Sequence, residues 1–205
     1  KQEALCHRPE EALVEINSPQ AQVVIGVRRS GKSTMCYQAL KQRGVHFAYA
    51  DFDDERFKGL KAEQLNDVLE VLYKIYGDFQ YLFLDEIQDI DGWHLFVNRM
   101  LRQKMHVIIT GSNAKLLSGE LATHLTGRNK EISLYPFSFQ EFCNMKGVDT
   151  KSVATKETAF RRAAFDEYMQ QGGFPELLII EDKRHYINTL VDNILKRDIE
   201  QRYKI

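Results

Sequence analysis

No run of apolar residues in this sequence exceeds the length of a β-strand. A membrane helix needs about 20 of them in a row, so none is expected, and no membrane partner with it. An excess of one charge is lacking too: 28 Lys and Arg stand against 29 Asp and Glu, a net charge of −1. That balance gives no global electrostatic case for nucleic acid or an anionic surface, although a local basic patch stays open. Cysteine is scarce. Cys6, Cys36 and Cys143 follow no pairing pattern, which fits a reducing cytoplasm. The six histidines are scattered and Cys6-His7 stands alone, so no zinc site is expected. Repeats and low-complexity tracts are missing as well, and no signal peptide is expected. The chain opens on Lys1 rather than Met, and its last helical pattern runs out without a cap or breaker. A cut from a longer protein is the expectation.

What is present is an ordinary globular composition on 205 residues, enough for one large domain or a domain with a small companion. Short apolar runs alternate with amphipathic stretches, the pattern of an α/β fold with a mainly parallel sheet. Residues 13–16 read as a weak preliminary strand; 21–25, 45–50, 81–84, 106–110 and 132–135 read as the main strands. Helix faces fall at Met35, Cys36, Ala39 and Leu40; at Leu65, Val68, Leu69, Leu72 and Tyr76; and at Trp93, Phe96, Val97, Met100 and Leu101. Gly44 and Gly77 are placed as C-caps. Pro136 ends the fifth strand, and Ser138-Phe139-Gln140-Glu141 is a capping box with Phe137 and Phe142 at hydrophobic-staple positions. Beyond about residue 145 only helix patterns remain: Phe160, Ala163, Ala164 and Tyr168 on one face, Ile187, Leu190, Val191, Ile194 and Leu195 on another. A main domain over 1–145 and a helical subdomain over 146–205 follow as the expected organisation.

Gly26-Val27-Arg28-Arg29-Ser30-Gly31-Lys32-Ser33 fits G-x-x-x-x-G-K-[ST], after an expected strand and before an expected helix. Glycines let the main chain approach a phosphate, successive N–H groups form an anion nest, and the helix start adds unpaired N–H groups and a positive dipole end. The expected binding set is Gly26, Arg28, Arg29, Ser30, Gly31, Lys32, Ser33 and Thr34. Lys32 would reach the β- and γ-phosphates and the Ser33 hydroxyl would bind Mg²⁺. Arg28 and Arg29 either attract a polyanion or simply face solvent.

A phosphate loop needs a metal-holding acid. Asp85 emerges at the end of the third strand, where ligands bind in open α/β sheets, and would hold Mg²⁺. Glu86, next along, is the candidate general base for an attacking water. A GTPase would carry Asn-Lys-x-Asp after a strand; Asn129-Lys130-Glu131-Ile132 lacks the Asp and precedes one. A small-molecule kinase needs no glutamate beside its metal acid. The adjacent Asp-Glu pair therefore points to hydrolysis of ATP. After the fourth strand, Ser112 or Asn113 either senses the γ-phosphate or caps the next helix. Arg128, just before the fifth strand, is either an arginine finger onto a neighbour's nucleotide or a surface arginine.

These strings occur in order with Leu84-Asp85-Glu86-Ile87-Gln88, Thr110-Gly111-Ser112, Thr126-Gly127-Arg128, Leu134-Tyr135-Pro136-Phe137-Ser138-Phe139, Gly172-Gly173-Phe174-Pro175-Glu176 and Lys196-Arg197-Asp198-Ile199. Together they resemble a large family of bacterial and archaeal AAA-type ATPases allied to the STAND group. The resemblance implies a P-loop NTPase of the ASCE/AAA-like kind: a parallel sheet of order 5-1-4-3-2 with a C-terminal helical lid. It implies Asp85 on Mg²⁺, Glu86 as base, a sensor at the Thr110–Asn113 turn, and a finger at Arg128. It also implies that Pro175, in the lid turn, closes against the adenine, and that a further C-terminal domain follows in the whole protein. Expected partners are ATP or ADP, Mg²⁺, and a second copy or partner protein; DNA stays an option that the net charge does not support. Two functions remain open, a Mg²⁺-dependent ATPase that drives a conformational change and a slow-hydrolysing nucleotide switch.

Overall fold

The computed structural model describes residues 6–112, 125 and 127–196. They form two compact units. A sheet unit comprises residues 9–26 and 32–134; a helical unit comprises 6–8, 27–31 and 135–196. The chain boundary between them falls at 134/135, eleven residues or so before the expected 145/146.

Among the described residues the sheet unit has five strands: β1 (Ala21–Gly26), β2 (Phe47–Asp51), β3 (Tyr81–Asp85), β4 (His106–Ser112) and β5 (Asn129–Ser133). All neighbours are parallel, in the order β2-β3-β4-β1-β5, which is the expected 5-1-4-3-2 read from the other edge. The central strand β1 is buried along its whole length, as a strand covered on both faces must be. Side chains alternate between two cores. Val23, Ile25, Leu82, Leu84, Val107 and Ile109 face one with Leu65, Leu72, Phe96, Val97 and Met100 of helices α2 (Leu65–Tyr76) and α3 (Trp93–Arg102). Val24, Phe83, Ile108 and Ile132 face the other with Met35, Cys36, Ala39 and Leu40 of α1 (Lys32–Gln42). The period of two in the strands and of 3.6 in the helices thus decides which side of the sheet each helix covers.

Two strand expectations are corrected. Residues 13–16 form no strand: a 3₁₀ turn occupies Pro9–Leu13, and Val14 is buried in the core. The segment is fastened instead by a side chain, because the Gln22 amide donates to the Glu15 carbonyl at 2.5 Å and accepts from its N–H at 2.6 Å. β5 lies three residues upstream of the apolar run at 132–135. It is an edge strand whose pairing with β1 is a main-chain matter, so Asn129, Lys130 and Glu131 serve while only Ile132 is buried.

The helical unit contains α4 (Phe139–Lys146), α5 (Thr155–Gln171) and α6 (Lys183–Asn193). The capping box on α4 forms as expected: the Glu141 N–H donates to Ser138 Oγ at 3.3 Å and the Ser138 N–H to Glu141 Oε2 at 2.8 Å. Phe142 packs with Cys143 and Ala164, whereas Phe137 lies beneath the Arg8 guanidinium, 4.9 Å from its centre. On α5, Ala164 and Tyr168 face this core, but Phe160 and Ala163 are exposed, contrary to the expected stripe. On α6, Tyr186 and Leu190 are buried with Leu177, while Val191, and Leu195 beyond the end of the helix, are exposed.

The turn at 172–175 is clamped to the segment before α4. The Phe137 N–H donates to the Gly173 carbonyl at 2.7 Å, and the Tyr168 hydroxyl donates to the Phe137 carbonyl at 2.8 Å. A Cβ on Gly173 would stand 2.1 Å from that same Phe137 oxygen, closer than any real contact. Backbone cannot step aside as a flexible side chain can, so Gly173→Ala is expected to destabilise the chain by about 1–3 kcal/mol or more. Urea unfolding checks this; an unchanged midpoint would remove the steric claim.

Candidate phosphate-binding site

Parallel register brings the motif residues of the sheet unit to one edge. Gly26, the last residue of β1, pairs with Ser112 at the end of β4; Thr110 on β4 pairs with Asp85 at the end of β3. β4 therefore stands between the strand that leads into the loop and the strand that ends in the acid. Lys32, Ser33 and Thr34 form the first turn of α1, whose first N–H groups have no partner within the helix.

Asp85 is 4% exposed and aimed from both sides. The Thr110 hydroxyl donates to its Oδ1 and the Tyr49 hydroxyl to its Oδ2 at 3.0 Å. Burial and then the Asp85 charge push the Tyr49 phenol and the Cys36 thiol up from their ordinary pKa values, and Lys32 opposes the shift at Cys36. Burial also raises Asp51, with Asp85 adding to it; the two carboxylates are register partners at the ends of β2 and β3.

Glu86 follows in a left-handed conformation, φ +54°, with its N–H donating to the Thr110 carbonyl at 3.1 Å. A non-glycine residue there is uncommon, and such strain concentrates at functional sites. Its carboxylate accepts from the Gln88 amide and lies 3.7 Å from the Lys32 ammonium, which also donates to the Gly26 carbonyl at 3.2 Å. Lysine and glutamate of the two motifs are thus brought together. Ser112 Oγ is buried without a hydrogen-bond partner among the described residues. Asn113 lies outside the described residues, as do Thr126 and the 197–199 end of the last motif.

Val27 to Gly31 belong to the helical unit. Arg29 (φ +63°) and Gly31 (φ +92°) turn the loop through the left-handed region. Arg29 is exposed but occupied: its guanidinium donates to Glu176 Oε2 at 2.9 Å and lies over the Tyr186 ring at 5.1 Å. Arg28 is half-buried and Ser30 buried, the Ser30 hydroxyl without a hydrogen-bond partner among the described residues. A Cβ placed on Gly31 would stand 3.7 Å from Pro175 Cγ, so the lid-turn proline adjoins the loop within this unit.

Arg128 is not brought to the loop. Its carbonyl accepts from the Ala21 N–H at 2.9 Å, at the start of β1, whereas the loop follows the end of that strand. At about 3.3 Å per residue the separation along the sheet is roughly 17 Å. An exposed arginine there cannot serve its own chain's phosphate loop. Sequence reasoning missed Tyr49, Gln88, Glu176 and Arg8. Gln88 and Glu176 stood in the motif strings without a role, Tyr49 had a signal in its place two residues before the end of β2, and Arg8 had none.

No group of three or more His, Cys, Asp or Glu among the described residues is arranged to hold a metal. Nor is any described helix long and apolar enough to cross a membrane.

The chain is 37% identical over 188 residues to an uncharacterized protein of Methanocaldococcus jannaschii, covering 89% of this chain and 42% of that protein. It is 35% identical over 190 residues to an uncharacterized protein of Haemophilus influenzae, covering 88% and 46%. The chain thus spans less than half the length of these curated relatives. Among solved structures it is similar to a Walker-type ATPase of Pyrococcus abyssi, with a TM-score of 0.56 and 17% identity over 94% of this chain and 73% of that one. Hsp104 of S. cerevisiae, in a complex with casein, gives a TM-score of 0.53 and 17% identity over 93% and 37%. At such identities the likeness is one of fold, that of P-loop ATPases. The AAA domain family model matches residues 18–143, which carry the loop, the acid pair and all five strands, and the chain belongs to that family.

Proposed function

We propose that the chain binds ATP with Mg²⁺ and hydrolyses it, and that turnover drives a conformational change through the helical segment acting as a lid. The observation that carries this reading is the junction of Lys32 with Glu86 beside an Asp85 held from two sides. The ammonium rests between the Gly26 carbonyl and the Glu86 carboxylate, two contacts that β- and γ-phosphates would replace. Glu86, so released, accepts a proton from a water attacking the γ-phosphorus as the bond to the β-phosphate oxygen breaks, leaving ADP and inorganic phosphate. Ser112, buried and with no hydrogen-bond partner for its hydroxyl among the described residues, suits a γ-phosphate sensor; Asn113 shares that assignment. Gly26, Arg28, Arg29, Ser30, Gly31, Lys32, Ser33 and Thr34 bind phosphates, and Pro175 approaches the base.

The residues fit magnesium. Ser33 and Asp85 offer hard oxygen donors, and one carboxylate with one hydroxyl suits an ion that keeps waters and takes phosphate oxygens. When bound, it neutralises charge on the β- and γ-phosphates. Asp85 is kept in orientation by Tyr49 and Thr110.

Alliance with the STAND group, and a further domain that receives the lid movement, belong to the same proposal. So does a cytoplasmic location, which Cys6, Cys36 and Cys143 suit, being in no disulfide among the described residues. A second reading, a slow-hydrolysing switch that regulates an attached domain or partner, draws support from Arg128. That arginine stands at the far end of β1 from Gly26, so it does not act as a finger at Gly26 and Lys32 of its own chain. DNA as the partner draws no support from a net charge of −1.

Two experiments decide. Glu86→Gln is expected to keep MgATP binding within a few-fold and to lose roughly 10²–10⁴ in turnover, while Lys32→Ala weakens binding itself. Wild-type turnover in Glu86→Gln would strip Glu86 of its role. Specific activity is expected to rise with protein concentration, and Arg128→Ala to abolish that rise with a loss of roughly 10³-fold. Tight binding with negligible turnover at every concentration would favour the switch.

A further inference from the structure

Arg8 belongs to none of the motifs, yet within the helical unit its guanidinium hydrogen-bonds two carbonyls and pairs with a carboxylate. One terminal nitrogen donates to the Ser30 carbonyl at 3.2 Å, the other to the Tyr135 carbonyl at 2.7 Å. Nε lies 2.5 Å from Glu141 Oε1, with side-chain exposures of 4% and 8% for the pair. The cation covers the Phe137 ring at 4.9 Å. A buried arginine is tolerated only when it is paired and hydrogen-bonded, and this one is.

Its contact with Ser30 has a consequence for the loop. A peptide unit is planar and trans, so the Ser30 C=O and the Gly31 N–H point in opposite directions. Holding the carbonyl on the Arg8 side turns the Gly31 N–H to the other side. An anion nest needs N–H groups that converge, and each carbonyl turned away from it needs a donor of its own. Arg29 and Gly31 supply the backbone turns; Arg8 supplies the donor. Two further anchors, the Tyr135 carbonyl and the α4 cap at Glu141, fix where that donor stands.

We infer that Arg8 is a positioning residue for the phosphate loop: it fixes the Ser30–Gly31 peptide so that the Gly31 N–H is presented to the nucleotide's phosphates. The inference rests on the proposed nucleotide binding. Its rival is a purely structural role, with Arg8 serving only as the partner of Glu141.

MgADP affinity by calorimetry, alongside thermal unfolding, separates the two for Arg8→Met, Glu141→Gln, the double variant and Arg8→Lys. Glu141→Gln retains an acceptor for the cap and spares the double variant a buried unpaired carboxylate. It is expected to bind MgADP within about threefold of the unsubstituted chain. The double variant is expected to melt close to Glu141→Gln yet bind MgADP roughly tenfold or more weakly, the scale of one charge-assisted hydrogen bond. Arg8→Lys decides if the double variant does not fold. One ammonium cannot hold both the Ser30 and Tyr135 carbonyls as the guanidinium fork does, so it is expected to lose about threefold or more in affinity at near-unchanged melting. Double-variant affinity equal to that of Glu141→Gln, or Arg8→Lys affinity equal to wild type, overturns the inference. Absence of MgADP binding by the unsubstituted chain removes the nucleotide reading itself, and this one with it.

Discussion

In a parallel sheet the carboxyl ends of all strands fall on one edge, so the last residues of neighbouring strands become neighbours in space. Everything chemical in the sheet unit depends on that. Gly26 and Ser112 are 86 positions apart in sequence and Asp85 and Thr110 are 25 apart, and each pair meets because β1, β4 and β3 run together in register. Nothing else about these residues would collect them. The same register explains why the hydroxyl of Thr110, rather than any residue near Asp85 in sequence, holds the acid in place.

The other constraint is the phosphate loop itself, whose chain is shared between the two units. Gly26 and Lys32 count with the sheet and Val27 to Gly31 with the helices. The loop's lysine therefore answers to Glu86, while its backbone answers to Arg8, Glu176 and Tyr186.

Much of this was legible in the sequence for identifiable reasons. The loop, β1 and β3 were visible because buried parallel strands read as continuous apolar runs and the phosphate motif has fixed spacing. The α4 cap was visible because its reciprocal hydrogen bonds demand Ser and Glu three apart. β5 was misplaced because an edge strand needs backbone more than apolar side chains. The stripe containing Phe160 failed because a short helical unit has too little core to cover every apolar residue of α5. Arg8 left no trace at all: Ser30, Tyr135 and Glu141 lie 22, 127 and 133 residues away, and its contacts with Ser30, Tyr135 and Phe137 are to backbone oxygens or a ring. Such a residue is recognised only once the chain is folded.

The position of Arg128 carries one more consequence. It stands at the amino end of β5, while the phosphate loop stands at the carboxyl end of β1 beside it. A contact that carries this arginine to another copy's loop joins two different surfaces of the same molecule. Unlike surfaces that recognise each other are a head-to-tail, heterologous pairing. Repeated, that pairing closes into a ring when the rotation between copies divides a full turn, and otherwise winds into an open helix whose terminal copy keeps one unserved nucleotide loop.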